Sequence, residues 1–184
     1  MFAELLAHPD VSEVMVLGGP VGVMAIHGGI EPDTAEMARE VAGATGASLY
    51  VVEQGENLAW HVPSTEYRPE QSTALSSFVE HVDRVVSLHG FGREDLRGSV
   101  LVGGTNHRMR STMAHILRMR TDMRVIDRLG DIPNRLRGQH PDNPVNLPAG
   151  RGVQLELSAT ARLIPHRAKV VAAVAEAIGE ELGV

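Results

Sequence analysis

The sequence has no cysteine. That excludes disulfides, thiolate zinc sites and cysteine nucleophiles, and it leaves histidines and carboxylates as the side chains able to hold a metal. An excess of positive charge is also missing: the net charge is −6, so phosphate-backbone binding and a nucleic-acid partner are not expected. No apolar run approaches the roughly 20 residues needed to cross a bilayer, so no membrane partner is expected either. The opening MFAELLAHPDVSE lacks a basic segment and a long apolar stretch, which points away from a standard secretion signal and toward cytoplasmic synthesis. Repeats, low-complexity tracts and linker-like stretches are absent. What is present, 184 residues that are 43% hydrophobic and 22% charged, suits one soluble globular domain spanning 1–184 with room for a sizeable core.

Strand and helix patterns alternate along that domain. SEVMVL (12–17) and VGVMAI (21–26) read as short strands split by a GGP turn. A helix is predicted from Thr34, with Met37, Ala38, Val41 and Ala42 at helical spacing and Gly43 at its end. ASLYVVEQ (47–54) is rich in β-branched and aromatic residues and predicts a strand, and NLAWHVPS (57–64) predicts another. A helix over 72–81 and strands over 83–90 and 98–104 follow, then a helix capped by Thr105 or Asn106. DMRVIDR (122–128) and RGVQLELS (151–158) read as strands, and 165–182 as a closing helix. Between the last two strands lies a stretch of about 20 residues dominated by Gly, Pro and Asn, a loop length that is usually functional. The alternation predicts an α/β single-domain sandwich with a mixed, largely parallel sheet flanked by helices.

Ligands of open α/β sheets gather beyond the carboxyl ends of strands. Four polar features fall there or face there: His27 with Glu31, His89, the GGTNHR turn, and Glu156 inside VQLEL. Two imidazoles and a carboxylate can hold one zinc ion and leave a position open for water. The glycines at 28 and 29 allow the backbone to fold so that His27 and Glu31 reach one ion. Glu156, opposite in phase to Val153, Leu155 and Leu157, then becomes a candidate proton acceptor. Plainer readings exist for each residue. A histidine at a strand end can simply be hydrogen-bonded, Glu31 can favour a helix N-terminus, and Glu156 can pair with Arg162 or Arg151. Glu36 competes with Glu31 as the carboxylate ligand. His61, His81, His107, His115 and His166 read as surface or capping residues, although His61 stands out among them because it ends a strand after Trp60.

The segments IHGGIEPDTAEMA, WHVPSTEY, SLHG, LVGGTN, NPVN and GVQLELSATAR occur in an order that resembles the poly-γ-glutamate hydrolase family, small zinc enzymes of phages and bacteria related in fold to zinc carboxypeptidases. The resemblance runs from about residue 12 to the C-terminus. It implies a zinc-carboxypeptidase-like fold, one Zn2+ held by His27, Glu31 and His89, and Glu156 as general base. It further implies that Arg162 holds a substrate carboxylate or the developing oxyanion, and that Asn106 and Asn146 line the cleft. One departure is that only Gly28, Gly29 and Ile30 separate His27 from Glu31, one residue fewer than the family pattern, and Asp33 stands where a glycine is common.

The expected activity is cleavage of γ-glutamyl amide bonds in a small or polymeric substrate, with release by host lysis if the chain is phage-borne. Cell-wall peptides are an alternative substrate, and a non-catalytic binding or virion-associated module on the same scaffold is the rival from another class. Nothing in the pattern specifies an oligomer. A polyanionic substrate meeting a negative protein requires a locally positive cleft, which Arg108, Arg110, Arg135, Arg137, Arg151 and Arg162 are expected to supply.

Overall fold

A computed structural model describes residues 1–182. Seven strands form one sheet: β1 (Val11–Val16), β2 (Gly19–Gly28), β3 (Ala47–Gln54), β4 (Arg84–Phe91), β5 (Ser99–Val102), β6 (Arg124–Ile126) and β7 (Gly152–Ser158). Their order is β1-β3-β2-β4-β7-β5-β6. The central β3-β2-β4-β7 run is parallel, β1 and β5 pair antiparallel with β3 and β7, and β6 runs parallel to β5. The mixed, largely parallel sheet expected from the sequence is therefore present.

Among the described residues six helices connect and cover it: α1 (Phe2–Leu6), α2 (Thr34–Thr45), α3 (Thr73–His81), α4 (His107–Arg120), α5 (Ala159–Arg162) and α6 (His166–Leu182). Side-chain alternation assigns the two faces. Val21, Val23 and Ala25 of β2, Val86 and Leu88 of β4, and Val153, Leu155 and Leu157 of β7 pack beneath α2, α4 and α6. Met24, Ile26, Tyr50, Val52 and Val85 face the other way, against Phe2 and Leu5 of α1 and Leu75 and Phe78 of α3. A parallel sheet buried on both faces explains why its strands read as near-continuous apolar runs.

The remaining surface of that second face is covered by irregular chain, and here the structure departs from the strand expected over NLAWHVPS. Residues 57–63 form no strand. A single side chain replaces a partner strand: the Gln54 carboxamide accepts from Trp60 N at 3.0 Å and donates to Trp60 O at 2.8 Å. Pro63, which has no N–H to offer a ladder, then opens a short 3₁₀ turn over Ser64–Glu66. The two shortest helices, α1 and α5, have no sequence counterpart above, because one turn leaves too little periodicity to detect. The long loop before β7 is irregular as expected, apart from 3₁₀ turns at Leu129–Asp131, Asn134–Leu136 and Pro144–Asn146.

Candidate metal centre and cleft

The site lies where β2, β4 and β7 end. Strand pairing alone brings two of its members together, because β4 and β7 run parallel with His89 opposite Glu156 and Ser87 opposite Gln154. His27 arrives by a different device. Simple alternation along β2 would send it to the helix-covered face with Val23 and Ala25. Instead, the β2-β3 register shifts between Ala25 and Gly28, a bulge of the kind that re-aims one side chain. Ile26 therefore stays in the second core, His27 turns toward His89, and Gly28 faces Ala35 of α2.

The chain then doubles back at Gly29. Its φ is +84°, and a Cβ there would lie 2.1 Å from Gln54 O, so only glycine fits. Gly29→Ala is expected to destabilise the protein by more than about 1 kcal/mol and to lower Tm by several degrees in a thermal melt. The resulting turn, closed by Glu31 N donating to His27 O at 2.9 Å, delivers the carboxylate to the imidazoles.

His27 Nδ1 is 2.9 Å from Glu31 Oε1 and 3.2 Å from His89 Nδ1, and His89 Nδ1 is 3.5 Å from Glu31 Oε2. Donors on a tetrahedral zinc with bonds of about 2.0–2.1 Å are separated by roughly 3.4 Å, and the two imidazoles and the carboxylate are close enough together that they could hold one metal ion. The outward ring nitrogens are already engaged: His27 Nε2 bonds Val62 O and His89 Nε2 bonds Ser87 Oγ, both at 2.9 Å. That leaves the Nδ1 atoms as the ones free to face a metal. Gly90 N donates to Glu31 Oε2 at 2.8 Å and orients the carboxylate. Glu31 belongs to the group that could hold a metal, whereas Glu36 sits on the outer face of α2, 46% exposed and 4.0 Å from Arg39.

The two carboxylates of the site are pushed in opposite directions. Burial drives Glu31 upward, but His89 and His27 outweigh it and hold the carboxyl well below the usual range. Burial and then the charge of Glu31 drive Glu156 well above the carboxylate range, with only the Gln154 amide opposing. Glu156 is 4% exposed, and both groups open on a cleft of about 990 Å³. The cleft wall also carries His61, Arg135, Gln139, His140 and Asn143. His61 lies against the site: its ring packs on that of His27 with centroids 4.8 Å apart, and its pKa is lowered first by partial burial and then by His27.

Other expected members sit elsewhere. Asn106 caps α4, accepting from Met109 N at 2.9 Å and donating to Gly150 O. Asn146 pins the long loop by donating to Gly138 O and His140 O and accepting from Thr105. Neither is on the cleft wall. Arg162 is buried behind Gly90, its guanidinium carbon 2.9 Å from where a Cβ at 90 would be, and it donates to Leu157 O and Pro32 O.

The expected arginine cluster is likewise dispersed. Arg110 lines a separate recess of about 550 Å³ with Asp127 and Arg128. Arg137 donates to Ile132 O, Arg108 approaches Glu181, and Arg151 is exposed in a turn at φ 57°. Of the six, Arg135 alone stands on the cleft wall.

A family model described as Poly-gamma-glutamate hydrolase matches residues 3–169. The chain is 32% identical over 146 residues to the SPbeta prophage-derived UPF0714 protein YoqZ of Bacillus subtilis (strain 168), a match covering 76% of this chain and 49% of that protein. It thus spans about half the length of that curated relative. Among solved structures it is similar to a bacteriophage poly-gamma-glutamate hydrolase, with a TM-score of 0.81 at 26% identity over 95% of this chain and 90% of that one. A zinc-free apo structure of YNDL aligns over the same shares with a TM-score of 0.72 at 26% identity. A metallo-carboxypeptidase from Burkholderia cenocepacia, at 12% identity, shares the fold, with a TM-score of 0.54 over 99% of this chain and 68% of that one. With the family match extending from α1 into α6, the chain belongs to the poly-gamma-glutamate hydrolase family.

Proposed function

We propose that this chain is a zinc-dependent amide hydrolase that cleaves γ-glutamyl bonds, with poly-γ-glutamate as its substrate. The observation that carries the reading is the convergence of His27 Nδ1, His89 Nδ1 and the Glu31 carboxylate beside a second, buried carboxylate that is biased toward holding a proton. Zinc held by His27, Glu31 and His89 would polarise the scissile carbonyl and acidify water. Its upward-shifted pKa makes the ionised Glu156 carboxylate a stronger proton acceptor than an ordinary one: it takes a proton from the attacking water and returns it to the leaving nitrogen. The family membership and the bacteriophage hydrolase of similar structure support the substrate.

Two arginines take separate roles in this scheme. Arg135 is exposed on the cleft wall and makes no ion pair among the described residues, so its guanidinium is open to a carboxylate of the polymer. Arg162, spent largely on main-chain oxygens, adds positive charge behind Gly90 and favours the ionised form of Glu31. Arg135→Gln is expected to raise KM for poly-γ-glutamate roughly 3–10-fold with kcat little changed, the size of effect one exposed charge gives. Added salt should raise the wild-type KM and leave that of the variant nearly flat.

The deciding assay is release of new amines from poly-γ-glutamate by the zinc-loaded protein, run beside cell-wall peptides. Turnover of the polymer supports the proposal. Turnover of cell-wall peptides alone replaces the substrate, and a protein that neither retains zinc nor hydrolyses either one is a binding module.

A further inference from the structure

Gln154 and Asn143 have no part in the scheme above, yet both are buried, at 3% and 5% exposure, in the cleft wall that carries Glu156. They form a chain of hydrogen bonds. Val145 N donates to Asn143 Oδ1 at 3.2 Å, Asn143 Nδ2 donates to Gln154 Oε1 at 2.8 Å, and Gln154 Nε2 donates to Glu156 Oε1 at 2.8 Å.

The direction of this chain does not depend on telling carboxamide oxygen from nitrogen. A main-chain N–H can only donate, so Asn143 must offer Val145 its oxygen and turn its NH₂ toward Gln154. Gln154 must answer with its own oxygen, which leaves its NH₂ for Glu156. The polarity of one backbone amide is thus transmitted through two side chains to the carboxylate. The loop also clamps the middle link. Gly138, at φ +60°, packs so tightly over Gln154 that a Cβ there would lie 2.6 Å from Gln154 Cβ and 2.8 Å from its Oε1. The Gly138 backbone thus lies directly against the Gln154 side chain.

We propose that this anchored pair of carboxamides positions the general base, keeping Glu156 Oε1 occupied as an acceptor and reserving Oε2 for the proton that moves from water to the leaving nitrogen. The N–H of Gln154 occupies one lone-pair site of Oε1 and lowers the basicity of that oxygen, so the transfer is directed to Oε2. Gln154 and Asn143 are positioning residues: neither needs to touch the substrate for the effect. The long loop before β7 acquires a role by the same argument, since it supplies both the anchor and the clamp. The proposal rests on the reading of Glu156 as base.

The polarity makes an unusual ordering testable. Asn143→Asp keeps the acceptor for Val145 N and nearly the native shape, but it turns an oxygen toward Gln154 and drives the Gln154 carboxamide to present oxygen to Glu156. Asn143→Ala loses the turn contact but leaves Gln154 free to keep its donor on Glu156. The expected result is a kcat loss of about 10–100-fold for Asn143→Asp, the range set by outer-shell partners, and a smaller loss for Asn143→Ala. KM should stay within about threefold, with wild-type zinc content. A purely structural role predicts the reverse order, and that order, or unchanged kcat in Asn143→Asp, overturns the proposal.

Gln154→Met, which keeps the shape and removes the donor, should match the loss in Asn143→Asp and stands as the measurement if the latter does not fold. A second arm needs no substrate. In ¹⁵N-labelled protein, the Gln154 side-chain amide, assigned by its loss in Gln154→Met, should exchange slowly with D₂O and shift in Glu156→Gln. Rapid exchange, or a resonance indifferent to Glu156→Gln, overturns the relay. Wild-type protein inert toward poly-γ-glutamate sinks the hydrolase reading instead, and the amide measurement still decides the relay.

Discussion

Glu156→Gln should lower kcat for γ-glutamyl hydrolysis by about 10²–10⁴-fold, the range a positioned proton carrier supplies, while the metal-free protein becomes more stable at neutral pH. Both effects come from one property. Burial and the charge of Glu31 raise the folded-state pKa of Glu156, so the folded protein holds this proton more tightly than the unfolded chain does. Such a group costs nothing in acid, where it is protonated in both states. Its cost grows as pH rises above the unfolded value of about 4.5 and levels off once the folded-state group has ionised. Melting curves of metal-free wild type and Glu156→Gln should therefore coincide in acid and separate toward neutral pH, the variant being the higher. Isosteric glutamine retains the volume, so the comparison isolates the charge. A variant that melts lower at neutral pH, or retains wild-type turnover, removes Glu156 from the role of base.

His89→Ala and Glu31→Gln should abolish stoichiometric zinc binding and with it all measurable hydrolysis, whereas Glu36→Gln should change neither. Among the described residues His27, Glu31 and His89 are the group that could hold a metal, and Glu36 lies on the far side of α2. In wild type, zinc at about 1,000 times its Kd adds about 4 kcal/mol to the folded state by mass action, which appears as a rise in Tm on loading and a fall with chelator. His89→Ala should show neither response. Glu31 carries the opposite pH signature to Glu156: its folded pKa is depressed, so its contribution is present above the unfolded carboxylate pKa and lost as pH falls. Zinc content by metal analysis, read together with Tm, separates a lost ligand from a misfolded chain. Full zinc content in His89→Ala would dismantle the site.

The sequence-level reading and the structure agree most closely where periodicity is long. ASLYVVEQ is β3 to the residue, and the period-2 phase of VQLEL places Glu156 opposite Val153, Leu155 and Leu157, as the sheet does. The motif order likewise carried the family. NLAWHVPS shows where such reasoning fails, because the donors and acceptors a strand would use there were met by the side chain of Gln54, a partner that no local pattern announces. The dispersed arginines teach the same lesson: nearness to cleft segments in the chain said nothing about which way each guanidinium turned.

By itself, then, the sequence determined the types of chemistry available: no thiol, imidazoles and carboxylates at strand ends, glycines where the chain must double back, and an alternating pattern that yields a buried mixed sheet. Those are properties of single residues and their immediate spacing. Three further matters were decided only by the tertiary structure. The bulge in β2 turned His27 against its own alternation, the parallel register of β4 and β7 set His89 beside Glu156, and the long loop carried Asn143 and Gly138 onto Gln154. Each depends on which distant segment a residue meets. A local periodicity can state which face a side chain takes, but a register between strands far apart in sequence is settled by the packing of the whole sheet.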